Sequence, residues 1–185
     1  TMGNLHRGHQ VLFSKAPNNT IKVATIYVNP LQFNNSDDYQ NYPRSLQADL
    51  EMCRKSNINL VYAPDIDISS EVVIEKSADL PKFTRYLCGQ KREGHFLGVY
   101  RIVKFLFSIV NPDFACFGKK DFQQLLLIKY LANTYFPKTH IIDVDTVRTP
   151  NNTALSSRLT RLSKESLDST FRIYESLQNM RSELL

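Results

Sequence analysis

The sequence predicts an α/β protein built on a Rossmann-like, doubly wound parallel sheet. Apolar, β-branched runs alternate with helical patterns along the chain, and such alternation is typical of parallel strands covered by helices on both faces. Polar or glycine-containing segments follow strands or begin helices at four places. Because ligands bind beyond the carboxyl ends of parallel strands, we expect these four segments to meet at one edge of the sheet.

The strands are predicted from short apolar runs that end at turn-forming residues. Asn29 and Pro30 end the first run, and Ala63 and Pro64 end the second. Gly118 ends the third. The predicted strands are residues 21–28, 58–62, 113–117 and 141–147, with a further short strand at 72–74.

The helices are predicted from the three- and four-residue spacing of apolar side chains, which is clearest in residues 94–110. The residues of its core-facing stripe are Phe96, Val99, Val103, Leu106 and Val110. Pro81 weakens the helical pattern of residues 77–87, and residues 34–38 are predicted to form a polar loop. The other predicted helices are 9–16, 45–56, 122–135 and a last one capped by Ser163.

Chain length and cysteine spacing limit the possible number of domains and the cellular compartment. The 185 residues suffice for one domain with a substantial core, or for one domain and part of a second. The three cysteines are widely spaced and form no CxxC pair, which favours free thiols in a reducing compartment. No apolar run resembles a signal peptide or a membrane span. We therefore expect a cytosolic protein with no membrane partner.

The net charge of +5 comes from lysines and arginines that are scattered among acidic residues. A nucleic-acid-binding protein more often has a clustered basic stripe, whereas a moderate positive excess suits an enzyme that handles anionic small molecules. The charge alone leaves both open. The expectation that the protein has no nucleic-acid partner rests on the motifs that follow.

The opening segment TMGNLHRGH carries two histidines three residues apart, His6 and His9, with Gly3 and Gly8 around them. The run after Gly8 predicts a helix, whose unpaired N–H groups and dipole favour phosphate at its start. Two imidazoles on one side of a helical turn can donate hydrogen bonds to the same anion. Surface residues or half of a metal site are the alternatives, and a metal site is disfavoured because no further ligand lies nearby.

The segment from Gly118 to Gln124 joins a predicted strand to a predicted helix. Gly118 permits a close approach to a ligand. Lys120 suits a phosphate, and Asp121 can accept hydrogen bonds from ribose hydroxyls. Gln124, one turn into the helix, can hold a polar substrate. A plain helix start with solvated lysines is the alternative.

Three weaker candidates complete the set. Arg158 offers a planar fork of donors beside Ser156 and Ser157, although such triplets are common in loops. Gln32, just past a strand end, can recognise a substrate that carries hydroxyl and carboxylate groups. Asp49 is a candidate contact for magnesium, which often takes only one or two carboxylates, with a solvated helical carboxylate as the alternative.

The chain resembles the pantothenate synthetases, a family within the HxGH nucleotidyltransferase superfamily. The resemblance covers nearly the whole chain in the family's order, in the segments TMGNLHRGH, YVNPLQF, YPRSLQADL, REGHFLGV, IVNPDFACFGKKDFQQL and DTVRTPNNTALSSR. It implies an ATP-dependent ligase that joins pantoate to β-alanine through a pantoyl adenylate and releases pyrophosphate and AMP. It also implies a Mg²⁺ ion and a homodimer.

The resemblance also implies a role for each matching residue. His6 and His9 would contact the phosphates, with His9 as the proton donor. Gln32 and Gln124 would bind pantoate, and Asp49 would lie near Mg²⁺. Lys120 and Arg158 join the histidines as catalytic residues. The residues that would bind ATP are Met2, Gly3, Asn4, Leu5, His6, Arg7, Gly8, His9, Gly118, Lys119, Lys120, Asp121, Val147, Leu155, Ser156, Ser157 and Arg158.

The chain departs from the family pattern in places. Lys119 replaces an acidic residue, and Leu159 replaces an asparagine. Residues 1–160 are expected to form the nucleotide-binding domain without its first strand, and residues 161–185 the start of a smaller C-terminal lid domain that is truncated or missing. Two alternatives stay open: a diverged, non-catalytic nucleotide-binding module, and another HxGH nucleotidyltransferase. The amides Gln32 and Gln124 disfavour the latter, because a phosphorylated acceptor favours cations.

Overall fold

The computed structural model describes residues 2–65, 67–70, 72 and 80–184. Helices and strands alternate, as the sequence predicts. In chain order they are α1 (Arg7–Ser14), β1 (Val23–Thr25), α2 (Ser36–Gln40), α3 (Leu46–Lys55), β2 (Leu60–Tyr62), α4 (Cys88–Lys91), α5 (His95–Val110), β3 (Phe114–Gly118), α6 (Phe122–Tyr135), β4 (His140–Val144), α7 (Lys164–Ser169) and α8 (Phe171–Leu184).

The four strands form two parallel pairs, β1 with β2 and β3 with β4. In the first pair Val23 lies opposite Leu60. Just beyond β1, a single parallel bridge joins Ile26 to Met2, and the Tyr27 N–H donates to the Met2 carbonyl at 2.8 Å. The opening segment of the chain therefore runs along β1, and the predicted α/β class with parallel strands is confirmed.

The fourth strand ends earlier than predicted, at Val144 rather than at residue 147. The chain then folds back on itself, because the Leu155 N–H donates to the Val147 carbonyl at 2.9 Å and Arg148 forms an antiparallel bridge with Ala154. These bonds satisfy the backbone locally, so the segment after Val144 does not extend the parallel ladder. The resulting turn carries the Ser156–Arg158 triplet back towards the start of the chain.

Helices α5 and α6 form the largest core and match the predicted helices closely. Of the predicted core stripe on α5, only Val110 is not fully buried. On α6, Leu127, Ile128 and Leu131 are fully buried against α5. Burying each such side chain contributes roughly 1.5–3 kcal/mol. Residues of β3 and β4 pack against this core, so the two helices fix the position of these strands.

Several further local predictions are wrong in detail. The predicted polar loop at 34–38 is largely helical, because the Asn35 side chain accepts the N–H groups of Asp37 at 2.7 Å and Asp38 at 3.3 Å and so caps α2. The first helix begins at Arg7, two residues earlier than predicted. Of the predicted strand at 72–74 and helix at 77–87, residues 73–79 lie outside the described part, and Lys82–Arg85 form a 3₁₀ turn.

The C-terminal helices contact the turn that follows β4. Ser163 caps α7 as predicted, because its hydroxyl accepts the Ser166 N–H at 3.2 Å. The Arg148 guanidinium lies 4.6 Å from the centre of the Tyr174 ring on α8. Among the described residues, no helix combines the length and apolar character that crossing a bilayer requires.

Candidate active site

The two histidines of the opening segment hold each other in place. His6 is the residue before α1, and its Nδ1 accepts the Gly8 N–H at 3.1 Å, while the Nδ1 of His9 accepts the His6 N–H at 3.1 Å. This reciprocal arrangement is a capping box made from imidazoles. The ring centres lie 4.1 Å apart. Because each Nδ1 is an acceptor, each neutral ring carries its proton on Nε2 and presents that N–H away from the helix.

Both imidazoles are neutral at pH 7. Burial, followed by the charges of His6 and Lys120, lowers the pKa of His9 to about 3. Burial and the Lys120 charge also lower the pKa of His6. In the ligand-free protein the pair therefore offers two fixed N–H donors. The predicted role of His9 as a proton donor needs an anion nearby to raise its pKa first.

Two buried side chains anchor the loop that leads into α1. The carboxylate of Asp49, on α3, accepts the N–H groups of Asn4 at 2.9 Å and Leu5 at 2.6 Å. The hydroxyl of Ser157 reaches the carbonyls of Gly3 at 3.3 Å and Asn4 at 3.0 Å. Asn4 itself has a left-handed backbone, with φ 51°, and bonds on both of its sides hold this turn. The Ser-Ser-Arg turn is thereby fixed against the histidine loop.

The turn at Asn4 sends the other predicted residues of the opening segment to different environments. Leu5 packs into the core and can offer a ligand only its backbone, whereas the Arg7 side chain is exposed. A side chain at Gly8 would stand 2.8 Å from the His6 ring and within 4 Å of Leu155. Gly8 therefore lets the imidazole fold back onto the helix start, and it also brings Leu155 beside it.

Lys120 comes from the turn between β3 and α6, and β3 packs against α1, the helix that begins after His6. The charge of Lys120 lowers the pKa of both histidines. Lys120 also pairs with Asp121 at 3.3 Å, and both side chains are well exposed. Lys119 points elsewhere, to Asp145 at 2.7 Å. Gly118 has an ordinary backbone, with φ −78°, and among the described residues nothing lies closer than 4.0 Å to the place of a Cβ. The open space at Gly118 suits a ligand, since the fold itself does not require glycine there.

The two serines of the Ser-Ser-Arg turn differ in what they can donate. The Ser157 hydroxyl is buried and already donates to the opening loop. Ser156 accepts the Arg158 N–H at 3.3 Å and caps the turn, and its O–H donates to no other residue that the structure describes. Ser156 is therefore the member of the pair that can bind an anion through its hydroxyl.

The turn that carries Gln32 is held by residues that the sequence analysis did not select. The Gln32 carbonyl accepts from His95 Nδ1 at 2.8 Å and from Arg92 Nη2 at 3.2 Å. Asn29 is fully buried and bonds the Gly98 carbonyl at 3.2 Å. A Cβ at Gly98 would lie 2.0 Å from the Leu31 carbonyl oxygen, so only glycine allows this close approach. Arg92 and His95 lie in the REGHFLGV segment, and Asn29 lies in the YVNPLQF segment, so the sequence contained the signal for these contacts.

The two glutamines of α6 are distinguished by their partners. The Gln123 amide is occupied, because it donates to the carbonyls of Phe83 and Tyr86 and accepts the Cys88 N–H. Within the described part of the chain, neither Gln124 nor Gln32 uses its side-chain amide in a hydrogen bond. These two half-buried amides are therefore available to a polar substrate.

The predicted meeting of separate loops is supported by these contacts. Ser157 joins the Ser-Ser-Arg turn to the histidine loop, and α1 packs against β3, the strand that leads into the turn carrying Lys120. Arg158 lies 5.6 Å from the centre of the Phe33 ring, which follows Gln32 directly. The histidine loop and the Ser-Ser-Arg turn thus lie side by side.

The geometry does not favour a metal held by the protein. Both carboxylate oxygens of Asp49 accept backbone N–H groups, and the side chain is only 2% exposed. The described residues contain no group of three or more His, Cys, Asp or Glu side chains placed to bind a metal. Contact between Asp49 and Mg²⁺ stays a prediction, and the structure gives Asp49 the task of positioning the histidine loop.

The chain has relatives among known proteins. The model of the Pantoate-beta-alanine ligase family matches residues 1–184. The chain belongs to this family. The pantothenate synthetase of Aliivibrio fischeri is 47% identical over 161 residues, which are 85% of this chain and 55% of that protein. The pantothenate synthetase of Neisseria meningitidis serogroup C is 42% identical over 186 residues, covering 100% of this chain and 67% of that protein.

Solved structures of ligases in the family have the same fold. The pantoate-beta-alanine ligase of Francisella tularensis, in complex with beta-gamma ATP and beta-alanine, superposes with a TM-score of 0.88 at 36% identity. The match covers 96% of this chain and 69% of that one. The chain spans 55% to 63% of the length of the Aliivibrio fischeri and Leptospira interrogans relatives.

Proposed function

We propose that the protein is an ATP-dependent ligase that condenses pantoate with β-alanine through a pantoyl adenylate. The observation that carries this proposal is that the histidine loop, with its two Nε2–H groups, is bonded to the Ser-Ser-Arg turn, while α1 packs against β3, the strand that leads to Lys120. Family membership and the nucleotide named with the Francisella tularensis structure support it further.

In the first step, a carboxylate oxygen of pantoate attacks the α-phosphorus of ATP. The bond between the α-phosphorus and its bridging oxygen breaks, and pyrophosphate leaves with the electron pair. His6 and His9 donate hydrogen bonds to the phosphate oxygens as charge builds up, and Lys120 and Arg158 contribute positive charge. Donors fixed before the reaction are effective because they need no reorganisation.

In the second step, the amine of β-alanine attacks the acyl carbon of the adenylate. The carbon–oxygen bond to the phosphate breaks, AMP leaves, and the nitrogen loses a proton. Gln32 and Gln124 hold the hydroxyl and carboxyl groups of pantoate through their free amides. Holding two reactants together can supply roughly 7–11 kcal/mol of the barrier, so positioning is a large part of what these amides contribute.

The nucleoside part of ATP lies along the turns after β3 and β4. Asp121 accepts from the ribose hydroxyls, and Gly118 leaves room for the sugar. Val147 lies in the turn after β4 and recognises adenine through its backbone. Lys119, held by Asp145, lies at the edge of this site, and the backbone from Met2 to Gly8 lines the phosphate end.

Four further features belong to the same proposal. Mg²⁺ enters with the phosphates of ATP rather than from a cage of protein ligands, which fits its preference for few carboxylates and several waters. The protein acts as a homodimer in the cytoplasm. Residues 1–160 form the nucleotide-binding domain, and residues 161–185 belong to the start of a second, smaller domain.

The exchange of labelled pyrophosphate into ATP tests this proposal, because the exchange requires reversible formation of an adenylate. We expect exchange only when pantoate is present, without β-alanine. Lys120→Ala is expected to lower the exchange rate by about 10²–10³. Lys138→Ala is the matched control, since this exposed lysine precedes β4 at the opposite end of the strand.

The remaining outcomes identify the alternatives. ATP binding without pantoate-dependent exchange would favour a non-catalytic nucleotide-binding module. Exchange driven by a phosphorylated acceptor instead of pantoate would favour another nucleotidyltransferase. Normal exchange in Lys120→Ala would remove the assigned role of the lysine.

A further inference from the structure

One carboxylate on the unpredicted helix α2 holds two arginines of the Ser-Ser-Arg turn. Asp38 accepts from Nε and Nη2 of Arg158 at 3.2 and 2.8 Å, and from Nη1 of Arg161 at 2.8 Å. The contact with Arg158 is therefore bidentate, the geometry in which a guanidinium is most tightly oriented. These residues are 120 and 123 positions apart in sequence, so the contact joins two distant segments.

Two aromatic rings, those of Phe33 and Tyr42, also contact the Arg158 guanidinium. Together with Asp38 they form what we call the Arg158 socket. The Arg158 carbon Cζ lies 5.2 Å from the centre of the Tyr42 ring and 5.6 Å from that of Phe33. The two rings contact each other edge to face at 5.6 Å. Phe33 directly follows Gln32, and Tyr42 follows α2. The socket therefore ties the turn that carries Gln32 to the turn that carries Arg158.

The charges nearby explain why the socket contains a carboxylate. Burial, and next the charge of Arg158, lowers the pKa of Arg92, while Asp121 and Asp38 act in the opposite direction. Arg158, Arg161 and Arg92 would otherwise repel one another around one small region. Hydrogen bonding to Arg158 lowers the pKa of Asp38, so the carboxylate stays ionised throughout the neutral range.

The edge of Arg158 that Asp38 leaves open matters for the reaction. A guanidinium has five N–H donors, and the bidentate contact uses the Nε proton and one Nη2 proton. Three donors remain, two on Nη1 and one on Nη2. A phosphate can bind this open edge without displacing the carboxylate, so Asp38 and a bound nucleotide do not compete for the same protons.

We propose that Asp38 is a positioning residue that holds the open edge of the Arg158 guanidinium towards the phosphates. It also keeps Arg158 at a fixed position relative to the turn that carries Gln32. The proposal rests on the proposed adenylate-forming function. It predicts that Asp38 acts through Arg158 and does not contribute by its own contact with a substrate.

A double-mutant cycle on pyrophosphate exchange tests this dependence. Asp38→Asn is expected to lower kcat about 10-fold, because a small misplacement of a charged donor is costly in rate, while KM for ATP does not rise, since the site loses a negative charge. In an Arg158→Ala background the same substitution is expected to change kcat less than 2-fold. Asp38→Glu keeps the charge and restores part of the rate.

Asp37→Asn is the matched control, because Asp37 lies on the same short helix and, within the described chain, forms no ion pair with Arg158 or Arg161. It should leave kcat unchanged. A rate increase in Asp38→Asn would show that the carboxylate opposes nucleotide binding. An equal loss in the presence and absence of Arg158 would show that Asp38 acts elsewhere. Either result overturns the proposal.

Nuclear magnetic resonance of the Arg158 Nε–H group separates this test from the test of function. In the unmodified protein this signal is expected to be protected from solvent exchange, and Asp38→Asn is expected to speed the exchange at least 10-fold, with or without catalytic activity. Suppose that the protein shows no pantoate-dependent pyrophosphate exchange while protection of the Nε–H still depends on Asp38. That result would refute the proposed function but support the positioning of Arg158 by Asp38. Unchanged protection in Asp38→Asn refutes the socket.

Discussion

Substitution of Asp49 by asparagine separates an anchoring role from a metal-binding role. In the structure, the two carboxylate oxygens accept the N–H groups of Asn4 and Leu5 at 2.9 and 2.6 Å in a buried setting. Asparagine keeps one acceptor oxygen and turns an amide N–H₂ group towards the other donor. One hydrogen bond to a charged group is lost, and one buried N–H loses its partner.

The size of this effect follows from the two bonds. A hydrogen bond to a charged group contributes about 1.5–3 kcal/mol, and a donor left unsatisfied adds to the loss. We expect Asp49→Asn to lower the free energy of unfolding by roughly 2–4 kcal/mol. The histidine loop loses its anchor at the same time, so affinity for ATP should fall as well.

Urea unfolding without nucleotide and without Mg²⁺ measures this directly. Glu51→Gln is the matched control, because Glu51 is an exposed carboxylate on the same helix, and it should leave the unfolding free energy within about 0.5 kcal/mol. The reasoning is refuted if Asp49→Asn unfolds like the unmodified protein and only its requirement for Mg²⁺ changes. That result would identify Asp49 as a metal contact.

Three further predictions follow from the same contacts. Because the pKa of His9 is about 3 in the folded protein and an ordinary histidine has a pKa of about 6.5, the unfolded state binds more protons between these two values. The contribution of His9 to the free energy of unfolding should therefore be fully present above about pH 6.5 and fall by up to ~1.4 kcal/mol per pH unit below it. In His9→Gln, the free energy of unfolding should depend less steeply on pH over the same range. Ser157→Ala should lower the unfolding free energy by about 1–3 kcal/mol because it leaves buried carbonyls unpaired, whereas Ser156→Ala should mainly slow pyrophosphate exchange; equal effects on both measurements would contradict the distinction. Leu131→Ala, at a site with 0% exposure, should destabilise the protein by about 2–5 kcal/mol in urea titrations without altering KM for ATP once the protein is folded.

Periodicity predicted the parts of the fold that hydrophobic burial decides. Helix α6 has the predicted bounds, and α5 differs by one residue, because the apolar stripes of both helices pack on each other. Helix α2 was missed for the opposite reason. Its sequence SDDYQ has no apolar stripe, and its stability comes from the Asn35 cap, a local contact that looks the same as an ordinary polar turn in the sequence.

The residue types predicted which loops form the candidate site. They did not predict which of two identical neighbouring side chains is available to a ligand. Ser156 and Ser157 are the same residue type, yet the Ser157 hydroxyl donates to Asn4 whereas the Ser156 hydroxyl donates to none of the described residues. Gln123 and Gln124 differ in the same way. Which member of such a pair faces the site depends on backbone direction, and this is fixed by tertiary contacts that no local pattern contains.

The protonation of the two imidazoles tests the central claim most directly. Long-range proton–nitrogen correlation spectra of the histidine side chains, assigned with His6→Gln and His9→Gln, report which ring nitrogen carries the proton. At pH 7 we expect both rings to be neutral with the proton on Nε2, and we expect both Nε2 signals to shift when ATP binds. Imidazolium rings, protons on Nδ1, or signals that ATP leaves unchanged would contradict the account of a preformed pair of phosphate donors.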